Sequence, residues 1–158
     1  MVPTLKAGDL LCTAPPGSIR RGTIVVFHPS SDTSQMFVER VVGVPGDIIE
    51  IDGAQTPPRV LIKPEGMGAF QVLIEPYVSG WTTLDNCCAS NGEASSAPQP
   101  VTVLAGFYFV LGDNRNFASD SRIFGFVPAA YIVAVVKSDQ GYAGIYSGSS
   151  APSLSPEP

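Results

Sequence analysis

The sequence predicts an all-β domain, on three observations. Short runs rich in β-branched and aromatic residues recur, among them Thr23–Phe27, Met36–Val44, Ile48–Asp52, Phe107–Leu111 and Tyr131–Val136. Turn-forming groups such as Gly8-Asp9, Pro15-Pro16-Gly17 and Pro45-Gly46-Asp47 separate them. Between Met1 and Gly53 no window carries the apolar period of about 3.6 that marks an amphipathic helix.

In chain order, Gly8-Asp9 turns into a short apolar strand that Pro15-Pro16-Gly17 ends. Thr23–Phe27 reads as a buried strand closed by Pro29, with His28 as a surface residue at its end, and 30–34 as a loop. Met36–Val44 is a further strand carrying Glu39 and Arg40 in its middle, and the turn at Pro45-Gly46-Asp47 leads into Ile48–Asp52. Short strands joined so tightly imply an antiparallel or meandering sheet.

From Gly53 to Gly106 the texture changes, with Pro, Gly, Ser and Asn dense in Gln55-Thr56-Pro57-Pro58 and Ser90–Pro98. Residues 53–100 read as an inserted, loop-rich region with brief strands of its own at Val60–Ile62 and Gln71–Ile74. Residues 1–52 and 101–137 then form the core domain, in a barrel-like or sandwich arrangement. Val101–Val103 and Phe107–Leu111 return to core-like strand, and Pro128-Ala129-Ala130 is expected to make a helical turn before the last strand. Residues 138–158 form an extension, expected to be disordered from about 147, where Ser, Gly and Pro dominate.

Composition bounds the function. With 158 residues, 44% of them hydrophobic and 15% charged, the chain is globular in character. A net charge of −5 and a pI near 4.6 argue against nucleic acid as a partner, and against a basic membrane-binding surface. No apolar run approaches the roughly 20 residues that span a bilayer, so the chain as given is expected to be soluble. Three cysteines leave at least one unpaired in a monomer. Cys87 or Cys88 can bridge to Cys12, or all can remain thiols. His28 is the only histidine and is far from them in sequence, so neither metal nor cofactor is expected.

The stretch Leu111–Gly125 concentrates compact polar side chains between apolar segments. Asp113, Asn114, Asp120 and Ser121 can bond neighbouring amides, and Arg115 and Arg122 can fork onto carboxylates. It reads as a polar loop satisfied within itself and laid against a core.

Four segments then converge. Met1-Val2-Pro3-Thr4-Leu5 with Gly8-Asp9, Arg21–Phe27, Glu39–Asp47, and Gly112-Asp113-Asn114-Arg115 with Ser119-Asp120-Ser121-Arg122 resemble, in order and spacing, the bacterial type I signal peptidase family. Glu75-Pro76-Tyr77-Val78 is similar to that family's inserted region, and the resemblance covers residues 1–137. It implies a signal-peptidase-like all-β catalytic domain from a family of membrane-anchored serine endopeptidases. These remove signal peptides from exported proteins on the outer face of the cytoplasmic membrane, with a serine nucleophile and a lysine general base. Partners implied are signal peptides or extended segments of exported proteins, with the membrane surface as a further contact.

Carried over residue by residue, the resemblance also shows departures. The family's nucleophile immediately precedes its Met-X-Pro segment, which here begins at Met1, so nucleophile, upstream oxyanion donor and membrane anchor are expected to be missing. A shortened chain or misplaced gene start is one explanation, and a chain that truly begins at Met1 is the other. The family's lysine falls at Glu39, and a serine that supports it falls at Ala118, with Ser119 beside it. Such a lysine needs an apolar setting to lose its proton at neutral pH, and Phe37, Val38, Val41 and Val42 would supply one. A glutamate there reverses the charge beside the nucleophile, so no peptidase activity is expected; the alternative to a shortened peptidase domain is a non-catalytic homologue that binds exported peptides or a partner peptidase. Asp113, Arg115, Asp120, Ser121 and Arg122 are expected to form a scaffold behind the site. Val2, Pro3, Met36, Phe37 and Val38 are expected to meet an extended peptide by strand addition, and exposed apolar residues around Val2 and Leu5 to meet a peptide or the membrane.

Overall fold

A computed structural model describes residues 1–29, 33–78, 80–82, 87–137 and 153–156. The strands are β1 (Thr13–Ala14), β2 (Ile24–Phe27), β3 (Phe37–Gly43), β4 (Ile48–Asp52), β5 (Arg59–Lys63), β6 (Gln71–Ile74), β7 (Val101–Thr102), β8 (Phe107–Leu111), β9 (Val127–Pro128), β10 (Ile132–Val136) and β11 (Ser153–Pro156). One short helix, α1 (Ser121–Phe124), and a 3-10 turn at Ala129–Tyr131 complete the described elements.

The strands form two antiparallel sheets, in the orders β1-β10-β2-β3-β8-β9 and β11-β6-β5-β4-β7. All-β is thus what the sequence implied, but neither sheet closes on itself, which corrects the barrel-like expectation. The first ends at the two-residue strands β1 and β9, too short to carry a ladder onward to each other. The second sheet is not confined to 53–100, because β4 and β7, from either side of that stretch, pair along Ile48–Ile49 and Val101–Thr102.

β4 shows why sequence and sheet agree. Ile49 and Ile51 are buried while Ile48, Glu50 and Asp52 are half-buried, the period of two of a strand with one face on a core. β3 is buried from Glu39 through Gly43 without alternation, because cores lie on both of its faces, Val42 in one and Val41 in the other. One core gathers Ile49, Ile51, Val60, Ile62, Phe109 and Leu111 of the second sheet and its junction with β8. Another gathers Val25, Phe27, Val41, Val110 and Ile132. The turn that carries the chain from β3 into β4 is fastened to the end of β7 by Gly46 N–H to the Val103 carbonyl (2.9 Å) and Val103 N–H to the Asp47 carbonyl (2.8 Å).

Two expectations for local chemistry change. Residues 153–156, expected to be disordered, form β11 in antiparallel register with β6, Leu154 opposite Leu73, and Leu154 packs onto the core. An edge strand with unpaired amides accepted a segment too polar to fold alone. The rest of the 138–158 extension and the loop at 30–32 lie outside the described residues. Cys87 is joined to Cys88, a pairing the sequence did not suggest, and Cys12 is a free thiol. Cys12 accepts at its carbonyl from Lys137 N–H beside the outer strand of the first sheet, whereas Cys87 and Cys88 belong to the core of the second. Among the described residues no helix is long and apolar enough to cross a membrane.

Candidate active site

The site forms where β3 passes the end of β8. β8 delivers Leu111 opposite Arg40 of β3, and the chain then leaves the sheet through Gly112 into the polar loop. That loop returns at Asp120, which caps α1: its Oδ1 accepts from Arg122 N–H at 3.1 Å and its Oδ2 from Gly112 N–H at 3.0 Å. Arg122 forks onto the same carboxylate at 2.8 and 2.7 Å. Ser121 Oγ accepts from Val110 N–H at 2.9 Å, tying α1 to β8.

A second set of charges lies behind the loop. Arg40, 1% exposed, forks onto Asp113 at 2.8 and 2.6 Å and donates to the Gly22 carbonyl at 3.1 Å. Thr4 Oγ1 donates to Asp113 as well, fastening the amino-terminal segment. Arg115 donates to the Gly112 carbonyl at 2.9 Å and forks onto Glu75, which directly follows β6, with one contact at 2.8 Å. Arg40 stacks 3.8 Å over the Tyr77 ring and Arg115 4.9 Å over that of Trp81. Burial, and then Glu75, push the Tyr77 hydroxyl well above its ordinary range, so it stays a donor to Glu75 Oε1 at 2.8 Å.

Asp113, Arg115, Asp120, Ser121 and Arg122 are therefore brought together and all buried. Arg40, Thr4, Glu75, Tyr77 and Trp81 complete the network; the first four lie in segments quoted for the family resemblance, but none was given a site role from the sequence. The available signal was Arg40 itself, since a charge inside an otherwise apolar strand requires a partner.

Glu39 sits in front of this network, 7% exposed. Its Oε2 is buried and has no hydrogen-bond partner among the described residues. Burial above all, then the charge of Asp120, pushes its carboxyl up to about 8, with Asp113 adding to the rise and the amino terminus and Arg122 opposing it. Gly112 and Ala118 line the carboxyl: a Cβ at position 112 would lie 2.8 Å from Oε2 and collide with the Ala118 Cβ. Ala118 is half-buried and brings no hydroxyl, while Ser119 is exposed.

The apolar residues expected to meet a peptide divide. Val2 and Met36 are exposed, at 42% and 64%, and Pro3 is exposed too. Phe37 is half-buried in an aromatic cluster with Phe27 and Phe124. Val38 and Met1 line a cavity of about 250 Å³ with Leu5 and Leu11, Lys6 and Asp9 lying at it as well. Phe37–Glu39 pair with Val25–Phe27 of β2, whereas pairing with β8 begins only at Arg40.

Comparison with known proteins agrees with this arrangement. The model of the family described as "Signal peptidase, peptidase S26" matches residues 1–139. Signal peptidase I of Leptolyngbya laminosa is 34% identical over 153 residues, covering 87% of this chain and 63% of that protein's length. Signal peptidase I of Bacillus caldolyticus is 34% identical over 140 residues, covering 86% and 71%. A crystal structure of a signal peptidase I from Enterococcus faecalis superposes with a TM-score of 0.51 at 30% identity, over 77% of this chain and 98% of that one. With two open antiparallel sheets, a buried polar wall at Asp113–Arg122 and this agreement across most of its length, the chain belongs to the signal peptidase family, peptidase S26.

Proposed function

We propose that this domain engages extended segments of exported proteins, signal peptides foremost, without hydrolysing them. The observation that carries the reading is Glu39, a buried carboxyl at the family's lysine position. Hydrolysis by a serine needs a neighbouring group to take the hydroxyl proton. Below about pH 8 Glu39 is already protonated and cannot take the hydroxyl's proton. Once ionised, it would place a negative charge beside the developing oxyanion, the reverse of what that transition state requires. Ala118 supplies no hydroxyl to orient a base, and the Asp113–Arg122 wall is spent on internal ion pairs.

Peptide binding rests on β3. Phe37–Glu39 have a backbone edge that no described strand pairs with beyond β2, exposed Met36 directly precedes it, and Met1 and Leu5 share a cavity with Val38. An extended peptide adding there would gain main-chain hydrogen bonds along the edge and apolar contact with those side chains. We take the encounter to occur at the outer face of the bacterial cytoplasmic membrane, a reading that resemblance to a membrane-anchored family supports.

The test is to titrate the protein with a fluorescent signal-peptide substrate and follow anisotropy and cleavage together. Saturable binding with no cleavage at pH 7 is expected. Turnover by the unaltered chain overturns the proposal, and turnover rising above pH 8 and lost in Glu39→Gln would make Glu39 a base. A chain with serine placed ahead of Met1 and carrying Glu39→Lys and Ala118→Ser should gain cleavage.

A further inference from the structure

We propose that the outer edge of β6 and the pocket at its end form a peptide site in the second sheet, apart from the β3 edge in the first. Its ligand is an extended segment of another protein that carries an aliphatic residue two positions before a leucine and displaces β11. The edge already takes a strand: β11 pairs with all four residues of β6, from Ser153 opposite Ile74 to Pro156 opposite Gln71. One position of this seat is selective, because residues directly opposite in an antiparallel pair share a face. Leu154 therefore lies on the face of Leu73 and packs on the core to which Leu73 belongs, while Ser153 and Pro156 are exposed.

The same face continues into a pocket. Leu73 and Glu75, two positions apart, both line a cavity of about 190 Å³ whose other walls include Pro57, Pro58, Val78 and Trp81. A ligand running antiparallel to β6 in the register of β11 brings the residue two before its leucine level with Glu75, on the face that opens into this pocket. Both charged side chains on the wall are already matched, Glu75 by Arg115 at 2.8 Å and Arg59 by Asp52 at 3.2 Å. The pocket thus offers no unbalanced charge, and its proline, valine and tryptophan walls select an aliphatic side chain.

β11 holds this seat weakly. Its ladder is four residues long, Pro156 has no N–H to donate, and half-buried Leu154 is its one contact with the core. Covalent attachment keeps it in place, presenting it to β6 at an effective concentration on the order of millimolar. A free segment gains over β11 by filling the pocket, which no described residue of β11 lines. Binding there reaches the candidate active site, because Glu75 directly follows β6, forks onto Arg115 and accepts from the Tyr77 hydroxyl. Trp81, the only tryptophan of the chain, lines the pocket and lies under Arg115 at 4.9 Å, so its emission reports occupancy.

The experiment uses the whole chain, unaltered and with Leu154→Asp to free the edge, and the synthetic peptide Leu-Ser-Leu-Ser-Pro as probe. The variant should bind the fluorescently labelled peptide saturably, and the unlabelled peptide should change its Trp81 emission. The unaltered protein should bind about ten-fold more weakly or worse, because the tethered strand must first be displaced. Serine in place of the peptide's first leucine should weaken binding about ten-fold, the worth of burying one aliphatic side chain, and remove the Trp81 response. Aspartate in place of the second leucine should abolish binding. Hydrogen exchange at the β6 amides, fast in the variant, should slow again with peptide bound. Failure of the variant to bind at peptide concentrations on the order of millimolar, equal affinity for both proteins, or indifference to the first leucine would each overturn the proposal. Dimerisation of the unaltered chain that Leu154→Asp abolishes would also overturn it, by making a second copy the occupant.

Discussion

Glu39 lies directly against Gly112, the carboxyl oxygen Oε2 occupying the space that any side chain at 112 would need. The same built carbon would strike the Ala118 Cβ, which backbone position fixes and no rotamer can move. Gly112→Ala should therefore cost about 1–3 kcal/mol through overpacking. Urea denaturation monitored by tryptophan fluorescence measures it, and an unchanged midpoint would show that the loop yields instead.

Glu39 should also make stability fall as the solution becomes alkaline. Its carboxyl titrates near 4.5 in the unfolded chain and at about 8 when folded, so between these values the folded state holds the extra proton. Stability from this group is complete below about pH 4.5 and is lost progressively up to about pH 8. At about 1.4 kcal/mol per unit, the loss reaches roughly 5 kcal/mol. Glu39→Gln removes the titration, so the variant should overtake the parent in denaturant resistance as pH rises from 5 to 9. Parallel curves for the two proteins would mean that Glu39 ionises freely.

Asp120→Ala leaves the buried Arg122 guanidinium without its carboxylate and Gly112 N–H without its acceptor. Removing one partner of a buried pair costs about 3–5 kcal/mol. In a domain of this size each kcal/mol shifts melting by about 2–4 °C, so calorimetry should show the transition falling by roughly 10 °C.

Arg40→Lys should be damaging although charge is conserved. Asp113 takes two parallel contacts from a planar guanidinium that also covers the Tyr77 ring, and an ammonium can reproduce neither. A loss of about 1–3 kcal/mol is expected, consistent with the worth of charged hydrogen bonds. Thermal melts would show it, and a melting point equal to the parent's would assign the fork no structural role.

Leu154→Asp should release β11 with little effect elsewhere, because Leu154 is the one residue of that strand packed on the core. Hydrogen exchange should then speed up at the β6 amides that face β11, while β4 and β5 keep their protection.

The strands were legible because each is a local run: Ile48–Asp52 alternates in the sequence as it does in burial, and Phe107–Leu111 is apolar throughout. The polar loop was legible only in part as self-satisfied: Arg122 and Asp120, two residues apart, pair with each other, whereas Asp113 and Arg115 find Arg40 and Glu75 outside it. Arg40 was not, because its partner Asp113 lies 73 positions away and only the β3–β8 register brings them face to face. α1 escaped notice because four residues carry no helical period. β11 did as well, since Ser153–Pro156 become a strand only where β6 offers an unpaired edge.

By itself the sequence determined the fold class and the family resemblance. Those depend on residue type and order, which neighbouring positions encode. The tertiary structure decided that the sheets stay open, that Cys87 joins Cys88 rather than Cys12, and that Glu39 keeps its proton to about pH 8. Each of these depends on which distant groups exclude water from, or bring charge to, a given atom, and that is fixed only when the strands have found their partners.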